Sequence, residues 1–111
     1  KTMMNRRSAE STAEIAERVR KAREIQKARL ASEGIFCNAS MNNRMIEKHC
    51  HLDSRCSNLL EKLIDKAGFS ARACSRIIKL ARTIADLEGA ESIMPEHIAE
   101  AAGYRILDKL G

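Results

Sequence analysis

Residues 68–89 read GFSARACSRIIKLARTIADLEG. Gly68 and Gly89 punctuate the stretch, and Ser70 is a good helix N-cap, so a helix of about five turns is expected between them. In helical projection Ala73, Ile77, Leu80, Ala81, Ile84 and Leu87 share one face. Arg72, Arg76, Lys79 and Thr83 fall in a narrow arc on the opposite side. One face therefore packs and the other presents three cations. On most helices such an arc is only a solvated surface. Arg72 is unusual because it sits one or two residues inside the N-terminus. There the free backbone N–H groups and the helix dipole already favour an anion. A cation at that place is unfavourable by up to roughly 1 kcal/mol, a misfit that a nearby phosphate would relieve.

Outward from this helix, the chain reads as helical throughout. Ser11-Thr12-Ala13-Glu14 matches a capping box and starts a helix to about Ala31. Its expected apolar stripe is Ile15, Val19 and Ala22, widened by Ile25 and Ala28. Gly34 ends it, and Ile35–Asn38 is extended or looped. Asn42 caps a short second helix to about Cys50, with Met41 and Ile46 spaced as a hydrophobic staple. Asp53 or Ser54 caps a third helix carrying Leu59, Leu60, Leu63 and Ile64, which stops at Gly68. Pro95 suits the first turn of a fifth helix to about Lys109. There is no convincing strand and no internal repeat. The expectation is an all-α five-helix bundle, with 1–10 a flexible N-terminal segment and 11–110 a single helical domain.

Composition narrows the function classes. The 111 residues fit one small domain. One proline and five glycines accompany an abundance of helix formers. No apolar run approaches the roughly 20 residues that span a bilayer, so no membrane partner is expected. Phe36, Phe69 and Tyr104 are the whole aromatic set, which weakens any reading built on stacking bases against rings. The net charge is +5, with nine Lys/Arg against four Asp/Glu in Lys1–Leu30 and eleven against eleven thereafter. The basic excess belongs to the first segment, which makes DNA a partner to consider. Four cysteines without a secretory context fit free thiols in a reducing, cytoplasmic compartment.

Other constellations are weak. Cys37, His49, Cys50, His51 and Cys56 cluster in sequence but lack metal-ligand spacing, so no metal site is expected. Cys50 and Cys74 read as small core residues, and the histidines as near-surface ones. No phosphate-cradling glycine loop, H-E-x-x-H or glycine-flanked nucleophile is present. The isolated chain is therefore not expected to be an enzyme. Helices three and four, joined by Gly68-Phe69, could pass for a helix-turn-helix with Arg72, Arg76 and Lys79 on a recognition helix. The tight turn and the lack of Asn or Gln on that face count against this.

SARACSRIIKLARTIADLEG followed by I-x-x-E-H-I-A-E-A-x-x-Y-R resembles the C-terminal helical domain of the Mg-chelatase-related AAA+ ATPases of the ComM/YifB competence type. The segment STAEIAERVRKAREIQ, the N-A-x-M of Asn38–Met41 and the C-x-L-D of Cys50–Asp53 fit the same family. The resemblance covers about residues 8–109. Asn42-Asn43 stands where many relatives have Ser-Pro; both pairs suit a helix start.

The resemblance implies a helical lid following an upstream AAA+ core that binds ATP and Mg2+. Starting at Lys1, the chain reads as a fragment of such a protein, and it has no Walker motif of its own. Arg72 matches the sensor-2 arginine, which reaches the phosphates of bound nucleotide and couples hydrolysis to lid motion. Arg76 and Lys79 match no family role and stand as secondary phosphate or DNA contacts. The implied partners are the AAA+ core of the same chain and neighbouring subunits of a ring, a hexamer in the family. The parent would be a DNA-remodelling motor of branch-migration type. The alternatives are a chelatase motor for metal insertion into porphyrin, and a self-contained helical DNA-binding module.

Overall fold

The computed structural model describes residues 11–110. The expected N-terminal segment 1–10 lies outside the described residues. Five α-helices occur among them: α1 (Thr12–Leu30), α2 (Asn43–His49), α3 (Ser54–Ala67), α4 (Ala71–Glu88) and α5 (Pro95–Leu110). Two 3-10 turns, Ala31–Glu33 and Asn38–Ser40, separate α1 from α2. No strand is found among the described residues. The fold is an all-α five-helix bundle, as the sequence pattern implies.

Helices α1 to α4 each start where a side chain satisfies a free backbone donor. The Ser11 hydroxyl accepts from the Glu14 N–H, and the Glu14 carboxylate accepts from the Ser11 N–H, completing the capping box. Asn42, Asp53 and Ser70 accept from the N–H groups of Met45, Cys56 and Ala73. Gly68 and Gly89 end α3 and α4 in the left-handed region, at φ 69° and 75°. A side chain there would be strained, which is why glycine terminates both helices.

Helix α4 is the centre of the bundle. It packs against α5 and α1, and also against α2 and the Asn38–Ser40 turn; α3 packs on α5. Ile77, Ala81 and Ile84 of α4 meet Leu30, Met41, Ile46, Cys50, Cys56, Leu60, Ile93 and Ile98 in one core. Met41 and Ile46 are both buried, as a staple requires.

Two details differ from the sequence expectations. In α1, Ile15 and Ile25 are 41% and 40% exposed, and Ala28 is also exposed. The buried row is Ala22, Gln26 and Leu30, one residue every turn. Gln26 displaces the expected apolar stripe because its side-chain oxygen accepts from the Asn38 N–H at 2.9 Å, which satisfies a buried polar pair. Secondly, the C-terminal half of α4 is covered on several sides, so Arg82, Ala85 and Asp86 are buried. The segment 35–37 is a loop, as expected, and leads into the Asn38–Ser40 turn.

Candidate functional site

The cap at Ser70 places Arg72 in the first turn of α4, exposed to solvent. From Arg72, one helical turn leads to Arg76, and a further three residues to Lys79. These three cations do share one face. They line a shallow groove of about 560 Å³ together with Asn43, Ala71 and Ser75. An adjoining groove of about 500 Å³ continues along α4 past Arg76 and Lys79 to Thr83, with Ala39 on its far side. Neither the Arg72 nor the Arg76 side chain has an ion pair or hydrogen bond among the described residues. No carboxylate lines either groove. A concave surface bordered by cations and neutral donors suits an anion and repels a metal ion.

Lys79 differs from its two neighbours. It is half-buried, and its ammonium donates to the Ala39 carbonyl at 3.1 Å. That contact ties α4 to the Asn38–Ser40 turn and fixes one edge of the groove. The expectation of a wholly solvated cationic arc therefore holds for Arg72 and Arg76 and fails for Lys79 and Thr83. Thr83 accepts from the Asn38 amide at 3.1 Å.

Behind the groove lies a polar cluster with no counterpart in the sequence reading. The Asp86 carboxylate is 1% exposed and accepts from Arg29 in a bidentate pair at 2.7 and 2.9 Å. It also accepts from Arg82 at 3.0 Å and from the Asn38 amide at 2.9 Å. Arg29 donates in turn to the Asn38 side-chain oxygen at 3.1 Å. Arg82 further donates to the carbonyls of Ala90 and Glu91 at 2.8 and 3.0 Å. A buried carboxylate is tolerated because several charge-assisted bonds surround it. These bonds join α1, α4, the Asn38–Ser40 turn and the loop after Gly89. They hold the turn against which Lys79 rests. An Arg–Asp pair four residues apart reads in sequence as an ordinary surface pair, so only the tertiary contacts single it out.

The cysteine and histidine positions do not converge. Cys50 and Cys56 are core residues, and Cys74 is half-buried at its edge. Burial pushes the Cys50 thiol up to about 11, so it stays protonated. Cys37 is exposed, and a hydrogen bond with the Ser40 hydroxyl lowers its pKa. His51 is exposed. His49 is largely covered rather than near the surface, and its Nε2 lies 2.9 Å from Glu33. Among the described residues, Glu88, Glu96 and His97 form the grouping closest to a ligand set. There the His97 Nδ1 accepts from the Met94 N–H at 2.9 Å, which leaves Nε2 to donate to Glu88 at 2.9 Å. With both ring nitrogens so engaged, no lone pair is left for a metal. The trio instead joins the end of α4 to the start of α5.

A helix-turn-helix reader is also poorly served. Its recognition helix must lie open to a major groove about 12 Å wide. Here the basic face of α4 is bordered by Asn43 on one side and by Ala39 on the other. No helix among the described residues is long and apolar enough to cross a membrane.

Comparison with known proteins gives a consistent family. The family model described as "Magnesium chelatase, subunit ChlI C-terminal" matches residues 9–105. Over 101 residues the chain is 44% identical to competence protein ComM of Haemophilus influenzae and 40% identical to the uncharacterized protein YifB of Salmonella typhimurium. A more distant relative, from Mycobacterium bovis, is 28% identical over 96 residues. The two nearer matches cover 91% of this chain but 19% of the relatives' length, so the chain corresponds to about a fifth of those proteins. No solved structure matches it.

Proposed function

The chain belongs to the family of magnesium chelatase ChlI C-terminal domains, and from that premise we propose that it is the lid of an AAA+ ATPase whose Arg72 senses the nucleotide's γ-phosphate. The observation that carries this reading is the state of Arg72. It is exposed in the first turn of α4, without a partner among the described residues, at the rim of a groove that has no carboxylate. A guanidinium left in that position is poised for an anion supplied from outside the domain.

In this mechanism an ATP-binding core, longer than anything in this chain, holds Mg2+ and the nucleotide. Arg72 reaches the terminal phosphate with its planar fork, and paired N–H donors give both energy and direction. When the γ-phosphate leaves, Arg72 loses that contact and the lid is released. The shift is no larger than the difference in affinity between the two states. The bundle moves as one body because the Asp86 cluster and the core lock α4 to α1 and α5.

We propose a DNA-remodelling motor, assembled as a ring, as the parent. The identity to a competence protein supports this, and so does the basic charge of the first thirty residues. Metal insertion into a porphyrin is the second reading, favoured by the description of the family model. ATP turnover of the full-length protein that is stimulated by DNA would select the first reading over the second.

The test of the Arg72 role is ATP turnover in the full-length protein. Arg72→Ala should lower it by about an order of magnitude or more, with the fold intact, because the side chain stabilises developing phosphate charge and touches no core residue. Arg76→Ala should have a smaller effect. Unchanged turnover in Arg72→Ala would end the assignment, and a reversed order would transfer the role to Arg76.

A further inference from the structure

Asn42 and Asn43 adjoin in sequence but have separate tasks. Asn42 caps α2 through its side-chain oxygen, which accepts from the Met45 N–H at 2.9 Å. Asn43 is the first residue of α2 and takes no part in that cap. Its side chain crosses instead to α4, where the Ser75 hydroxyl donates to Asn43 Oδ1 at 2.9 Å. That bond occupies the oxygen and fixes which way the amide faces. The Nδ2 group, with two hydrogens, has no partner among the described residues, and Asn43 lines the same groove as Arg72 and Arg76.

We propose that Asn43 is a further phosphate ligand, oriented by Ser75, so that α2 and α4 form the two walls of one polyphosphate site. The proposal deepens the lid reading and rests on it. Three observations converge on it. Arg72, Ser75, Arg76 and Lys79 follow the helical spacing that puts them on one side of α4. Arg72 and Arg76 are like charges one turn apart, which costs free energy until an anion lies between them. Elsewhere many cations have local acids: Arg20 has Glu17, Arg55 has Asp53, and Arg44 and Lys48 share Glu33. The groove lacks any such acid, and Asn43 adds neutral donors on the opposite wall. The occupant is a compact, multiply charged phosphate chain such as that of a nucleoside triphosphate.

The test is a titration of the 111-residue chain with tripolyphosphate, followed through nitrogen-resolved amide signals. The paired Nδ2 protons of Asn43 should move together with the Nε–H signals of Arg72 and Arg76. Asn43→Pro removes the donor and preserves α2, since proline is at home in the first turn. It should weaken tripolyphosphate binding by about 10- to 150-fold, the range of one hydrogen bond to a charged group. Ser75→Ala should weaken binding when Asn43 is present and have no further effect in the Asn43→Pro background. An Asn43 signal that stays still while Arg72 and Arg76 shift would refute the proposal and leave the lid reading standing. If none of the three responds, the proposal fails, and the lid reading is judged separately by ATP turnover of Arg72→Ala in the full-length protein. A single-stranded oligonucleotide that moves all three at lower concentration than tripolyphosphate would also overturn it, in favour of a nucleic-acid backbone.

Discussion

Asp86 shows how much of this domain depends on one side chain. Its carboxylate faces Arg29, Arg82 and the Asn38 amide in a space that excludes water. Asp86→Ala leaves two guanidinium groups facing each other with no counter-charge. Removing one member of a buried set of this kind costs about 3–5 kcal/mol. Urea denaturation of the variant should show a loss of that size, and a loss under about 1 kcal/mol would mean that water reaches the cluster. Arg72 makes the opposite case. It opposes the helix dipole and repels Arg76, so its substitution by alanine should not lower stability and should raise it by up to roughly 1 kcal/mol. The sequence alone distinguishes Arg72, because a cation in the first turn of a helix contradicts a local rule. It does not distinguish Asp86. The partners that bury Asp86 lie 48 and 57 positions away, and no periodicity within α4 announces them.

At the level of elements, the helix boundaries were readable because each is decided within about four residues. The Ser11, Asn42, Asp53 and Ser70 caps and the Gly68 and Gly89 stops are local solutions to free backbone groups. The face that α1 buries was not readable, since Gln26 is buried only by its bond to Asn38 in a turn that the sequence leaves open. That turn region also carries an electrostatic link between elements. Glu33, at the end of the first 3-10 turn, faces His49, Lys48 and Arg44 of α2. The hydrogen bond from His49, and then the charges of Lys48 and Arg44, hold its carboxyl below the ordinary value of 4.5. A depressed carboxylate contributes stability above its unfolded pKa and loses it as pH falls through the folded one. The contribution is therefore complete above about pH 4.5 and fades in more acidic solution. Glu33→Gln should narrow the stability difference between pH 6 and pH 3 measured by denaturation. An identical acid limb in both proteins would show that the α2 contact is not coupled to folding.

For the molecule as a whole, one core joins the five helices, and one face carries cations with no carboxylate among the residues that line its grooves. The five helices were legible from their caps and stops, and the shared face of Arg72, Arg76 and Lys79 from the periodicity of α4. The other wall was not, because Asn43 reaches the groove from 32 positions before Ser75. Rigidity matters for the proposed function, since a lid can report the state of a nucleotide only if movement of Arg72 carries the whole bundle. The account then turns on one discrimination, that between nucleoside triphosphate and diphosphate. The direct measurement is the affinity of the full-length protein for a non-hydrolysable ATP analogue and for ADP, with and without Arg72→Ala. If Arg72 reads the γ-phosphate, the wild-type preference for the triphosphate collapses in the variant by about tenfold while ADP affinity is retained, as expected for loss of one charge-assisted pair. An unchanged ratio of the two affinities would contradict the account.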